Sequence, residues 1–192
     1  MGLKNFLFKY RSYTPIPLAL IILYNSQLKF PDAIYGLTLI LFGELFRISA
    51  VRYAGGITRT RAVGAKRLCS SGPYARTRNP LYIGNIIIYC GFALFAGGDN
   101  VLIILIAVIL FFSFQYWMII ELEEKTLFTI FKDEYVHYTQ NVPRFIPQLR
   151  YWDGLGHRNP MGIFKTISTE KRTLQNIFLF SSLIIIKSFW KF

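Results

Sequence analysis

Charged residues are scarce in this sequence, and acidic residues are the scarcer kind. Only 17% of the 192 residues are charged, and 10 Asp and Glu stand against 22 Lys and Arg, whereas 53% of the residues are hydrophobic. A charged fraction this low is not typical of a soluble domain and indicates a protein that crosses a membrane several times. The length is sufficient for one domain, and we expect residues 1–192 to form a single integral membrane domain.

Cysteine is nearly absent as well. The two cysteines, Cys69 and Cys90, are too few for a disulfide framework, and they lack the spacing of a metal-ligand set. Cys69 lies in a basic polar stretch and Cys90 inside an apolar run. We therefore expect two free thiols and no metal site.

The excess of positive charge, +12 at pH 7, does not indicate a nucleic-acid partner. The basic residues lie in the polar gaps between apolar runs, where the positive-inside rule places them. Residues 51–80 alone carry seven Lys and Arg and no acid. This asymmetry predicts a multi-pass protein whose N-terminus and residues 51–80 and 121–172 face the cytoplasm.

Five apolar runs predict an all-α polytopic protein with about five transmembrane helices. They cover residues of about 14–30, 33–53, 80–97, 101–120 and 174–190. Because only residues 97–100 separate the third run from the fourth, we expect a tight helical hairpin over about 80–120. The polar segment 150–172 is either a lid or a loop, and we expect a partly ordered cytoplasmic loop.

Two charges interrupt the second apolar run. Glu44 and Arg47 lie three residues apart, on one face of a helix. Ionisable groups at this depth usually pair with each other or line a cavity. One interpretation is an intrahelical ion pair near the cytoplasmic interface. The other is that Arg47 faces a polar cavity shared with the Arg78 region and binds the substrate there.

The stretch 71–85, SGPYARTRNPLYIGN, is a basic entry into the third apolar run. Pro80 has no backbone donor and suits the first turn of a helix, so that Asn79 takes the N-cap position. The exposed N–H groups of that turn, together with Arg76 and Arg78, form a site for an anionic group. The alternative is an ordinary cytoplasmic helix entry with interfacial aromatic residues.

A second polar stretch, residues 119–147, continues the fourth apolar run beyond the membrane as an amphipathic helix. Glu121, Glu123 and Glu124 lie at the boundary, and a solvated charge run is the usual interpretation of such a cluster. Because this stretch and residues 51–80 are both predicted to be cytoplasmic, we expect its acids to meet the basic loop.

Together the two stretches resemble the isoprenylcysteine carboxyl methyltransferase family, which is related to membrane phospholipid methyltransferases. The family pattern is G-x-Y, R-H-P-x-Y, a transmembrane hairpin, E-E-x-x-L, F-x-x-E-Y and R-x-x-P. The resemblance covers about 45–150, taken as the methyltransferase core, and a C-terminal transmembrane helix of about 174–190 follows. The matching residues are Gly72, Tyr74, Arg78, Pro80, Tyr82, Glu123, Glu124, Leu127, Phe131, Glu134, Tyr135, Arg144 and Pro147.

The resemblance implies an integral membrane methyltransferase that binds S-adenosyl-L-methionine in a cavity on the cytoplasmic side of its helices. The sequence lacks the glycine-rich motif of soluble Rossmann methyltransferases, which agrees with a membrane type. The implied catalytic residues are Arg78, Asn79 and Glu123, and Arg47 is a candidate substrate-binding residue. The implied cofactor-binding residues are Leu68, Cys69, Tyr74, Asn79, Pro80, Leu81, Tyr82, Glu123 and Glu124.

Two positions depart from the family and bear on the acceptor. Asn79 replaces a histidine; it donates and accepts hydrogen bonds but cannot become charged. Ile119 stands where eukaryotic members have an arginine for the substrate carboxylate. The resemblance implies carboxyl O-methylation of a prenylcysteine-like, lipophilic or lipid-linked acceptor. The alternatives are N-methylation of a phospholipid amine and a non-catalytic membrane scaffold. Membrane lipids are expected partners, and the oligomeric state stays open.

Overall fold

The computed structural model describes residues 2–55, 64, 67–154 and 158–189, so part of the basic loop 51–80 lies outside the described residues. Within these ranges the protein is helical and has no strand, which confirms the all-α prediction for this part of the chain. A short 3₁₀ helix, Gly72–Ala75, precedes the fourth helix. The helices are α1 Leu3–Tyr10, α2 Ile16–Tyr24, α3 Asp32–Ala54, α4 Pro80–Ala96, α5 Val101–Asn141 and α6 Ile163–Phe189.

Two of the described helices, α3 and α5, are long and apolar enough to cross a membrane. Helix α4 is apolar but has 17 residues, and α2 has nine. The first apolar run therefore contains a short helix instead of the expected span, because α2 ends at Tyr24, before the polar residues 25–27. Of the five expected transmembrane spans, the second and the fourth thus correspond to helices that are long and apolar enough to cross a membrane.

Helix α6 begins at Ile163, well before the apolar run expected at 174–190. The second half of the segment 150–172 is therefore helical and not a loop. The physical reason is tertiary, because Thr166 and Glu170, one turn apart, are 0% and 1% exposed against the rest of the bundle. Hydropathy cannot reveal a polar helix face that is buried by partners elsewhere in the chain.

Helices α4 and α5 form the tight hairpin that the sequence predicts. Gly97 and Gly98 in its turn have φ angles of 65° and 92°, a backbone region that favours glycine. The turn is held by the backbone N–H of Gln27, which donates to the carbonyl oxygen of Ala96 at 2.8 Å. The hairpin fixes the position of α5 relative to the first turn of α4.

Glycines allow α3 and α4 to approach closely in antiparallel orientation. Gly36 on α3 lies opposite Gly91 on α4, and Gly43 lies opposite Gly84 one heptad further along. A β-carbon added at Gly36 would lie 2.7 Å from the carbonyl oxygen of Gly91, and one added at Gly43 would lie 3.0 Å from that of Gly84. Small residues at helix interfaces in membranes permit this backbone contact and the van der Waals packing that it brings.

Helix α5 is interrupted at Lys132, which has a φ of 45° and a ψ of −118°. These angles are not helical, so the long helix consists of two segments that meet at this residue. The first segment carries the apolar run and the three glutamates at its end. The second segment carries Tyr135 and Tyr138, which are buried against Leu68 and Trp152.

Replacing Lys132 with glycine is expected to raise the free energy of unfolding by about 1 kcal/mol, because a residue with a β-carbon is strained at a positive φ. Lys132→Ala is the matched control, since alanine keeps the β-carbon and should leave stability nearly unchanged. Thermal unfolding of the detergent-solubilised variants measures the difference. Equal stability of the two variants would contradict strain at this position.

Candidate active site

The site is built around the first turn of α4, which begins at Pro80 with Asn79 at the N-cap, as predicted. The side chain of Asn79 does not cap the helix. Its Nδ2 instead donates to the carbonyl oxygen of Arg144 at 3.0 Å. Asn79 therefore ties the start of α4 to the segment that follows α5.

Tyr82 and Glu123 are in direct contact across the bundle. The hydroxyl of Tyr82, on the first turn of α4, donates to Oε2 of Glu123 on α5 at 2.8 Å. The ring of Tyr82 also stacks on that of Tyr116, with their centroids 4.5 Å apart. Tyr82 belongs to the stretch 71–85 and Glu123 to the stretch 119–147. The fold therefore brings the two predicted motifs into contact.

Glu124 points to a different set of partners from its neighbour Glu123. Its carboxylate lies 3.1 Å from Nη2 of Arg78 and 3.2 Å from Nε of Arg144, and Nη2 of Arg144 contacts it as well. The expected meeting of the acidic stretch with the basic loop is therefore confirmed at Arg78. The guanidinium of Arg78, predicted to be catalytic, is held by Glu124, and its buried Nε has no hydrogen-bond partner among the described residues.

The end of α5 and the segment after it run along residues 71–79 and hold them in place. The hydroxyl of Tyr138 donates to the carbonyl oxygen of Tyr74 at 2.8 Å, and that of buried Thr77 donates to the carbonyl oxygen of Phe145 at 3.0 Å. Further bonds join Gly72 to Tyr151, Arg76 to Gln148 and Arg78 to Pro143. The predicted basic entry is thus a clamped loop and not a free surface segment.

Burial keeps two side chains protonated here, that of Tyr74 in the loop and that of Cys69 just before it. Burial raises the pKa of the Cys69 thiol, although a backbone hydrogen bond with Ser71 and the charge of Arg158 oppose the rise. Removal from solvent raises the pKa of the Tyr74 hydroxyl well above its usual value, and the thiol and the charge of Glu123 add to the rise. Tyr74 therefore lies within electrostatic range of Glu123. Both groups are neutral near pH 7, so they pack or donate hydrogen bonds instead of acting as anions.

Arg47 is buried, with 9% exposure, among groups from three helices. Its Nε lies 3.4 Å from Oε2 of Glu44, which confirms the intrahelical ion pair. Its two other guanidinium nitrogens bind Asn85 on α4 and Glu170 on α6. Arg47 therefore joins three helices, and the expected cavity shared with the Arg78 region stays a prediction. The substrate-binding role of Arg47 stays a prediction.

The remaining predicted residues lie near this site in different settings. Leu68 packs with the cluster of Tyr135 and Tyr138, Pro80 is buried, and Leu81 is half-buried beside it. An open groove of about 450 Å³ lies next to Glu124, the one predicted cofactor residue that lines it. Its walls come from both segments of α5 and consist of Glu124, Lys125, Phe128, Thr129, Tyr135, Val136 and Thr139.

Three residues at the centre of the site were assigned no role by sequence reasoning. Asn85 and Tyr116 are polar or amphipathic residues inside apolar runs, and that position was the signal that could have identified them. The Nδ2 of Asn85 donates to the hydroxyl of Tyr116 at 2.9 Å. Glu170 gave no signal, because it lies in a polar stretch where an acid is ordinary.

Apolar helices bring two motif residues, Tyr82 and Glu123, together inside a helical bundle that has no strand among the described residues. The chain belongs to the phospholipid methyltransferase family, whose model matches residues 32–134, more than half of the sequence. The match begins with α3 and includes both Tyr82 and Glu123. The predicted relationship to membrane methyltransferases is thereby confirmed. Comparison with curated proteins found no match, and comparison with solved structures found none either.

Proposed function

We propose that this protein transfers a methyl group from S-adenosyl-L-methionine to a lipophilic acceptor at the membrane. The observation that carries the proposal is the hydrogen bond of 2.8 Å between Tyr82 and Glu123, which joins the two sequence motifs inside the family match. This contact places residues of both motifs at one point of the bundle, as a shared binding site requires.

The residues present fit the proposed cofactor by the chemistry of their donors and acceptors. The carboxylate of Glu123 suits an amino group or a pair of ribose hydroxyls. The buried Nε of Arg78, which has no partner among the described residues, suits a carboxylate. When bound, S-adenosyl-L-methionine supplies an electrophilic methyl group on a sulfonium centre.

The contribution of the protein is chiefly the positioning of reactants. Tyr82 is held both by its stack on Tyr116 and by its bond to Glu123, so its orientation is fixed before any ligand arrives. Alignment of a nucleophile with an electrophilic carbon in a preformed site lowers a barrier by about 7–11 kcal/mol in favourable cases. The clamped loop 71–79 provides the rigid wall that such alignment needs.

An amine of a phospholipid is the acceptor that the site supports best. Ile119, at the position of the arginine that serves a substrate carboxylate in related enzymes, is apolar and 0% exposed. A carboxylate would therefore lack its usual cation at this point. An ammonium group must first lose a proton before its nitrogen can attack the methyl group. O-methylation of a prenylcysteine-like carboxyl group is the second candidate, which the motif pattern of the chain favours.

Membranes that contain the protein should incorporate label from methyl-labelled S-adenosyl-L-methionine into the organic extract. Tyr82→Phe is expected to reduce the incorporation by about 10-fold or more, because it removes a hydrogen bond to a charged group and keeps the ring stack. Tyr24→Phe is the matched control, since this tyrosine is 82% exposed, and it should retain full incorporation.

The stability of the labelled product distinguishes the two acceptors. Release of the label by mild base identifies a methyl ester, whereas label that resists base identifies a methylated amine. A wild-type protein that neither incorporates label nor binds the cofactor in a direct titration would overturn the proposed function. Equal incorporation by wild type and Tyr82→Phe would remove the role given to Tyr82.

A further inference from the structure

Glu170 lies on α6, outside the matched residues 32–134, and yet reaches the interior of the bundle. Its side chain is 1% exposed, and Oε2 accepts a hydrogen bond from Nη2 of Arg47 at 2.8 Å. The same nitrogen lies 3.4 Å from Oγ1 of Thr173, one turn further along α6. Arg47 therefore joins α6 to α3.

The guanidinium of Arg47 also connects α6 to the candidate active site through Asn85. Its Nη1 donates to Oδ1 of Asn85, and Nδ2 of Asn85 donates to the hydroxyl of Tyr116 at 2.9 Å. Tyr116 in turn stacks on Tyr82, which binds Glu123. A continuous series of contacts thus connects α6 with the residues proposed to hold the cofactor.

The direction of each hydrogen bond in this series follows from chemistry. A guanidinium has donors and no acceptor, so it requires the oxygen of the Asn85 amide to face it. The amide nitrogen must then point to Tyr116, whose hydroxyl oxygen accepts. If the guanidinium turned away, the amide of Asn85 would be free to rotate, and Tyr116 would lose the donor that holds its hydroxyl.

We propose that Glu170 is a positioning residue of the cofactor site. By holding Arg47 against Asn85, it fixes Tyr116 and thereby keeps Tyr82 at Glu123. This inference rests on the proposed function, since it assigns Glu170 to the same site. It gives α6, which the family match does not include, a direct part in that site.

Glu170→Gln tests this role with little risk to folding. The variant removes a charge and keeps the shape of the side chain, and Arg47 retains the carboxylate of Glu44 at 3.4 Å as its partner. Glu44→Gln is the matched control, because it removes the same charge from the same guanidinium and leaves the link to α6 intact. Glu170→Asp keeps the charge and serves as the conservative variant.

The measurement is a titration of S-adenosyl-L-methionine into purified protein in lipid nanodiscs. We expect a dissociation constant about 10-fold higher for Glu170→Gln, corresponding to about 1.4 kcal/mol. Glu44→Gln should remain within threefold of wild type, and Glu170→Asp should recover at least part of the affinity. Hydrogen exchange without cofactor should show faster exchange in the first two turns of α4 for Glu170→Gln and wild-type exchange for Glu44→Gln.

The outcomes separate this inference from the function on which it rests. A wild-type protein that does not bind the cofactor overturns both. Binding by wild type with unchanged affinity in Glu170→Gln overturns the positioning role alone. Equal weakening by Glu170→Gln and Glu44→Gln also overturns it, because the effect would then arise from charge on Arg47 and not from the attachment of α6.

Discussion

Replacing Glu124 with glutamine is expected to lower the free energy of unfolding by about 3 kcal/mol. The carboxylate lies between the guanidinium groups of Arg78 and Arg144. The side chains of Arg78 and Glu124 are only 12% and 16% exposed, so water screens them poorly. Without the negative charge, two cations would face each other in a region of low dielectric constant. Denaturation of the detergent-solubilised protein measures the loss.

Two variants of the same helix are the controls for this result. Glu121→Gln removes a carboxylate that binds Lys4 at the surface, where ion pairs contribute little, and it should leave stability nearly unchanged. Glu123→Gln should weaken cofactor binding while the protein stays folded. If Glu124→Gln were as stable as Glu121→Gln, the pair of arginines would not depend on Glu124 for its place in the structure.

Replacing Gly36 with alanine is expected to separate α3 from α4 and to destabilise the protein by about 3 kcal/mol. The new β-carbon would lie 2.7 Å from the carbonyl oxygen of Gly91 and closer still to the backbone of Phe95. Backbone atoms of a neighbouring helix cannot move aside as a side chain can. The helices must therefore move apart, and the first turn of α4 moves with them.

Gly162→Ala is the matched control, since a β-carbon at that position would have nothing within 4 Å. Thermal unfolding should show a large loss for Gly36→Ala and almost none for Gly162→Ala. Cofactor titration should follow the same order, because α4 carries Tyr82. An alanine variant at Gly36 with wild-type stability would mean that the two helices pack through other contacts.

Hydropathy and turn residues were sufficient for the local features of the fold. The start of α4 at Pro80, the hairpin turn with Gly97 and Gly98, and the pair of Glu44 and Arg47 all depend on residues close together in the sequence. The break in α5 at Lys132 was not predictable, because lysine is a good helix former and no glycine or proline marks this position. The early start of α6 was missed for a similar reason.

In the candidate site, too, some features were predictable from the sequence and others depend on the tertiary structure. The family resemblance assigned Tyr82 and Glu123 to one candidate cofactor site, and the short gap between the third and fourth apolar runs predicted the hairpin between them. The different roles of Glu123 and Glu124 did not follow from the sequence, since neighbouring residues of a helix point about 100° apart and only the fold decides what each one meets.

The sequence by itself determined the chemistry that is available: apolar helices, a basic loop, an acidic stretch and the motif residues that place the chain in its family. Only the tertiary structure decided which side chains of the candidate site contact each other. It placed Glu124 between two arginines, Tyr82 at Glu123, and Glu170 at Arg47 from a helix more than a hundred residues away. The reason is physical: burial makes each charge depend on a partner, and the partner is chosen by packing, which no local pattern of residues records.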